Sequence, residues 1–240
     1  MNQFKLTFRL ENNRLPKSLD KAIVSFLKAA AENYSPVFFN KLYDKSKSII
    51  KGYTYSCYLP GAKFCGNTIE LSREEFTLFF SDIDQAEFLH FFNAFQGMKH
   101  KKYPLGGNSM ELVSIRMQEL NEIKENEIIV KMQSPLIVRH HNAEDNSDIY
   151  YTCETEGFAE ALKDNVGIFL DRMGIDISAS DFSIEVVKGK KVVAPVFERN
   201  VDASIGIYKL SGSPRLLNIL YLAGLGVRRS AGHGKFEVIG

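Results

Sequence analysis

The sequence predicts an α+β protein made of two successive βαββαβ units, closed by a C-terminal glycine-rich loop. Three observations carry that prediction. Residues 3–10, Gln-Phe-Lys-Leu-Thr-Phe-Arg-Leu, alternate polar and apolar side chains as a half-buried strand does. The segments that follow run helix, strand, strand, helix, strand, and the order recurs after an acidic stretch at 119–127. Near the end stands Gly224-Leu225-Gly226-Val227-Arg228-Arg229-Ser230-Ala231-Gly232-His233-Gly234, with four glycines in eleven positions.

In the first unit, Phe4, Leu6, Phe8 and Leu10 share one strand face. Residues 11–16 form a turn, and Ser18 caps a helix over about 19–32 with Ile23, Phe26 and Leu27 at helical spacing. Ser35-Pro36 opens a short second helix that turns Phe38, Phe39 and Leu42 inward. Strands are expected at 53–59, 68–71 and 76–80. Ser81-Asp82 then starts a helix with Phe88, Leu89, Phe92 and Phe95 on its apolar face, ended by Gly97. Residues 109–118 alternate into the closing strand. This order is the ferredoxin-like pattern.

A boundary near Glu122 divides the chain into 1–121 and 122–240. The second unit opens with strands at 128–132 and 135–138, a polar loop over 140–147, and an inserted strand at 149–151. A helix covers 157–173. Strands at 182–186 and 192–199 flank a lysine-rich turn, and another strand covers 205–210. Ser213-Pro214 caps a helix to about Ala223. The alternating Lys235-Phe236-Glu237-Val238-Ile239-Gly240 is the last strand.

The 240 residues suffice for one large or two small domains. No apolar run approaches a membrane span and no leader pattern opens the chain, so a cytoplasmic protein with no membrane partner is expected. Cys57, Cys65 and Cys153 have no metal-ligand spacing and read as reduced, structural thiols. Net charge is +1, but the cations cluster: Lys41, Lys45, Lys47 and Lys51; then 99–102; then Lys188, Lys190 and Lys191; then Arg228 and Arg229. Clustered cations on a neutral chain fit a polyanion partner, although each run also reads as a solvated face.

The terminal loop reads G-x-G, five residues, G-x-G. Glycines let backbone amides approach an anion, and paired guanidiniums add phosphate donors. A glycine turn with surface arginines is the plainer reading. The spacing fits neither a dinucleotide fingerprint nor a Walker loop.

This loop, placed between a short helix and the last strand, resembles that of the CRISPR-associated repeat endoribonucleases of the RAMP superfamily. Ser134-Pro135-Leu136-Ile137-Val138-Arg139 is similar to that family's mid-chain segment, and Tyr53-Thr54-Tyr55-Ser56 to its aromatic-Thr-aromatic-Ser strand start. The resemblance implies tandem ferredoxin-like domains and a metal-independent endoribonuclease that needs no cofactor. Its partner is then CRISPR repeat RNA, with other effector-complex subunits and a second copy of the chain as further candidates. It places RNA contacts at Gly224, Gly226, Arg228, Arg229, Ser230, Gly232 and Gly234, and at Arg139. By position, His140 just after the Ser134–Arg139 segment and His233 inside the loop read as further RNA contacts, with turn stabilisation the alternative for His233.

RNA carries its own nucleophile in the 2′-hydroxyl, so cleavage needs a base, an acid and a cation for the developing charge. The family's acid–base histidine precedes the aromatic-Thr-aromatic-Ser strand, but here no histidine occurs before His90. Tyr43 falls near that position and Lys51 on the family's lysine, so Tyr43, Lys45 and Lys51 are the expected catalytic residues. The missing histidine favours the alternative of a non-catalytic RNA-holding protein. A third reading is a nucleotide-binding metabolic enzyme whose loop takes a mononucleotide phosphate.

Overall fold

The computed structural model describes residues 1–197 and 199–240. The first half contains β1 (Asn2–Leu10), β2 (Arg14–Pro16), α1 (Leu19–Tyr34), α2 (Pro36–Tyr43), β3 (Tyr53–Tyr58), β4 (Lys63–Cys65), β5 (Thr68–Glu70), β6 (Glu75–Asp82), α3 (Gln85–Met98), β7 (Lys102–Pro104) and β8 (Ser109–Glu119). Its main sheet runs β3-β6-β1-β8-β7. Without the short edge strand β7, this is the ferredoxin-like βαββαβ arrangement. The alternation of β1 buries Phe4, Leu6, Phe8 and Leu10 beneath α1 and α3. Aromatic packing is dense: the rings of Phe4 and Phe88 stack at 3.9 Å and those of Phe8 and Phe76 at 4.9 Å.

The second half contains β9 (Glu127–Met132), β10 (Val138–Asn142), β11 (Ser147–Tyr151), α4 (Phe158–Met173), β12 (Ser183–Val196), β13 (Arg199–Ser211), α5 (Pro214–Ala223) and β14 (Phe236–Val238). Its sheet runs β12-β13-β9-β14, the same arrangement again, with the β10-β11 hairpin inserted. Among the described residues, no helix is long and apolar enough to cross a membrane.

Several local readings change, among them the cap of α1, where the Ser18 side chain makes no capping hydrogen bond, and the end of α3, which runs past Gly97 to Met98. Phe91, not Leu89, joins Phe88 and Phe95 in the core, and Leu89 is exposed. That helix starts later than Ser81, because β6 runs to Asp82 and the Asp84 carboxylate caps the amides of Ala86 and Glu87. The loop expected at 140–147 is partly strand, since His140, His141 and Asn142 pair with β11. The expected lysine-rich turn is strand as well: Lys188, Lys190 and Lys191 lie within β12, with a register shift between Val186 and Lys188. Glu198, inside the strand expected over 192–199, lies outside the described residues.

A polar seam joins the halves. Thr54 of β3 donates to the Arg229 carbonyl at 3.2 Å, and Ser56 donates to Gln133 at 3.2 Å. Ser81 of β6 donates to the Leu222 carbonyl at 2.8 Å and accepts from Lys235 Nζ at 2.7 Å. Lys235 is fully buried, and burial pushes its amine down to about 7.

The glycine loop is packed into this seam. At Gly234 (φ 75°) a Cβ would sit 1.9 Å from the Leu225 carbonyl oxygen, and at Gly226 (φ 69°) 2.2 Å from that of Ile137. The loop is stitched on both sides: Val227 N–H donates to Ile137, Gly234 N–H to Pro135, and Leu225 N–H to Gly234. The three sequence segments Tyr53–Ser56, Ser134–Arg139 and 224–234 therefore meet at one junction.

Two outcomes follow. Gly234→Ala adds a backbone clash to an unfavourable φ and should destabilise by more than about 2 kcal/mol, read as a lower denaturant midpoint. Lys235 binds a proton more weakly folded than unfolded. Between pH 7 and the unfolded value of about 10.4, the unfolded state alone holds that proton, so Lys235 makes stability rise with pH. Below that window its penalty is full and constant. Lys235→Met should therefore raise stability at pH 7 by about 1–3 kcal/mol, a gain that shrinks toward pH 10 in pH-dependent melts.

Candidate nucleic-acid interface

A cleft of about 1080 Å³ lies over the exposed face of α4. The chain leading into β3, the start of β10 and the glycine loop also line it. Six of its lining residues are lysine or arginine, namely Lys51, Arg139, Lys163, Arg172, Arg228 and Arg229, against one carboxylate, Asp164. On a chain of net charge +1 that is a marked concentration. Such a focus attracts a polyanion.

Two contacts fix the cleft. Arg172 Nη2 donates to both the carbonyl and the hydroxyl of Ser48 at 2.8 Å, tying α4 to the first half. Lys163 Nζ donates to the Ser180 carbonyl, tying α4 to the segment after it. Arg139 pairs with Asp148 at 2.9 Å, while its backbone is clamped by the Asn165 amide. His140 is exposed on the cleft, and His141 bonds Asp148 at 2.8 Å.

The loop residues divide. Arg228 (φ 59°) is exposed at the cleft, and Ser230 is half-buried there. Arg229 departs from its expected role as a surface phosphate donor. A 3₁₀ turn at Arg229–Ala231 rolls it inward, and its guanidinium lies 3.6 Å over the Phe169 ring. Burial lowers its affinity for a proton to about 10, which still leaves it charged. His233 departs likewise. It is buried, neither ring nitrogen has a hydrogen-bond partner among the described residues, and burial pushes it down to about 4, so it is neutral. Gly224, Gly226, Gly232 and Gly234 pack against protein atoms rather than opening a nest for a ligand: the nearest atoms are Thr54 Oγ1, the Ile137 carbonyl, the Tyr55 ring and the Leu225 carbonyl.

The expected catalytic residues also divide. Lys51 lines the cleft with its Nζ 5.0 Å from the centre of the Tyr43 ring. Lys28 of α1 reaches the same ring at 5.4 Å. Burial lowers the Lys51 pKa, nearby Lys28 lowers it further, and Glu87 opposes both. The Tyr43 hydroxyl bonds that of buried Tyr53 at 2.8 Å. Burial raises the Tyr43 pKa, which favours the neutral phenol over the phenolate. Lys45 is exposed and does not line the cleft.

Sequence reasoning missed Lys28, Lys163 and Arg172. Each sits on an amphipathic helix among ordinary surface positions, and nothing local distinguishes it. The buried carboxyl of Asp82, pushed by burial up to about 8, was equally silent.

Comparison with known proteins places this geometry. Among solved structures, one described as an RAMP protein binding different RNA substrates superposes with a TM-score of 0.84 at 19% identity, covering 100% of both chains. A Cas6-related protein from Pyrococcus furiosus gives 0.85 at 18% identity, covering 99% of this chain and 98% of its own. A Cas6 product complex gives 0.70 at 15% identity over 100% of both chains. At these identities the likeness is one of fold. No curated protein matches the chain in sequence. The family model for CRISPR associated protein Cas6, C-terminal, matches residues 117–238, half of the chain and the whole of the second βαββαβ unit, and the protein belongs to that family.

Proposed function

We propose that this protein is a metal-independent endoribonuclease that binds CRISPR repeat RNA and cuts the precursor transcript into guide RNAs. The observation that carries the reading is the cation-lined cleft with Lys51 at its edge. Membership of the Cas6 family supplies the substrate class. Residues 1–121 form one domain, and 122–240 form the domain that carries the glycine loop. RNA lies along the cleft, where Arg228, Arg139 and His140 meet its backbone.

The 2′-hydroxyl attacks the adjacent phosphorus and loses its proton, the P–O5′ bond breaks, and the leaving oxygen takes up a proton. The products are a 2′,3′-cyclic phosphate and a 5′-hydroxyl. Lys51 offsets the charge that develops on the phosphoryl oxygens. Tyr43 holds Lys51 through its ring, and Lys28 adds a second cation beside it.

A second reading, an RNA-holding protein without turnover, is favoured by one observation. The Tyr43 hydroxyl is already bonded to buried Tyr53 and is not free for proton transfer.

The test is incubation of labelled repeat RNA in EDTA, beside the same RNA carrying a 2′-deoxy sugar at the cut site. Cutting of the unmodified RNA alone is expected, with a cyclic phosphate end. Lys51→Met should slow it by about 10²-fold or more. Tyr43→Phe and Lys45→Met measure the other two residues, and the burial of Tyr43 predicts a smaller effect for its hydroxyl than for Lys51. Tight binding without cutting would select the second reading. Arg228→Ala should weaken binding evenly across sequences and reduce the salt slope by about 1, whereas Arg229→Ala should act through stability.

A further inference from the structure

The floor of the cleft holds a feature that phosphate binding does not use. Three neighbouring positions on the exposed face of α4 line it: Asp164, Gly167 and Ile168. Gly167 stands in the middle of a sixteen-residue helix. Glycine there costs about 1 kcal/mol relative to alanine. Neither conformation nor crowding demands it. The helix is regular at this point, and a Cβ on Gly167 would meet only the Ala179 methyl, at 4.0 Å. The missing side chain therefore keeps the floor of the cleft low where the segment 178–180 passes it at contact distance.

The surroundings of Gly167 are specific. Ile168 is 55% exposed, a large apolar surface facing solvent inside a cationic cleft. Asp164 is exposed and, among the described residues, makes no ion pair, although six lysines and arginines line the same cleft. The neighbouring segments are tied to α4 by the Lys163–Ser180 contact on one side and the Arg172–Ser48 contact on the other. An apolar surface, an opening with no side chain and one unpaired acceptor amid phosphate-binding cations suit a flat heterocycle attached to a phosphodiester.

We propose that the Asp164–Gly167–Ile168 face of α4 is a subsite for one unpaired nucleobase of the bound RNA, preferring a base with an exocyclic amino group. The base lies over Gly167 against Ile168 and Ala179. Asp164 accepts a hydrogen bond from the amino group, as carboxylates do from cytosine N4. Uracil offers a carbonyl at that position and is disfavoured. The inference rests on the RNA-binding reading above and adds to it where one base is read and through which group.

The experiment measures binding of short oligo(C) and oligo(U) RNAs to the wild type, Gly167→Leu and Asp164→Asn, each over a range of salt. The wild type should prefer oligo(C) by about tenfold. Gly167→Leu fills the space and should weaken oligo(C) by about tenfold with an unchanged salt slope, because the phosphate contacts remain. Its melting temperature should equal or exceed that of the wild type, since leucine favours the helix, so lost binding cannot be ascribed to unfolding. Asp164→Asn should erase the preference while leaving oligo(U) binding intact. Unchanged binding by a folded Gly167→Leu, or equal affinity of the wild type for both RNAs, overturns the subsite and leaves the RNA-binding reading standing. No binding of either homopolymer by a wild type that binds repeat RNA overturns the subsite alone, and no binding of repeat RNA as well overturns both.

Discussion

The architecture depends on backbone meeting backbone at the glycine loop. At Gly226 and Gly234 the chain passes so close to the carbonyls of Ile137 and Leu225 that no side chain fits. That approach lets Thr54 reach the Arg229 carbonyl and lets Ser81 receive the amine of Lys235 across the seam. Remove the approach and the two sheets lose their register with each other. The cleft is a consequence of the same contact, because its walls come from both halves.

This recasts the glycine-rich motif. Its pattern suggests an anion nest, yet most of its glycines are occupied by protein. The part that reaches the cleft is the short stretch from Gly226 to Ser230, and within it only Arg228 is exposed. Arg229 shows how one position shifts a role. Adjacent guanidiniums on a tight turn point apart, and here one faces solvent while the other stacks on Phe169.

Much of the fold was legible. The alternation of Phe4, Leu6, Phe8 and Leu10 and the twofold element order gave both sheets, since binary patterning reports on burial directly. The register of α3 was less legible, because in a helix as aromatic as Phe88-Leu89-His90-Phe91-Phe92 several faces are apolar and only tertiary packing chooses one. The lysines of β12 looked like a turn because exposed strand residues and turn residues share a composition. At the site, Lys51, Arg139, His140 and Arg228 were readable from motif position. Lys163 and Arg172 of α4 and Lys28 of α1 were not, for only the packing of each helix against the rest of the chain brings the first two to the cleft and Lys28 to the Tyr43 ring. The burial of His233 was also unreadable, as a histidine among glycines suggests exposure.

Arg172 has a consequence that concerns entropy. A free arginine at the mouth of a cleft must be immobilised when a ligand arrives, and association weakens by that cost. Here the Arg172 guanidinium is already held by two bonds to Ser48, and Arg139 is held by Asp148. The chain has ordered these long side chains during folding. On the proposed reading, RNA would meet a positive surface in which these two side chains already have partners, and the ordering cost of binding falls mainly on the strand.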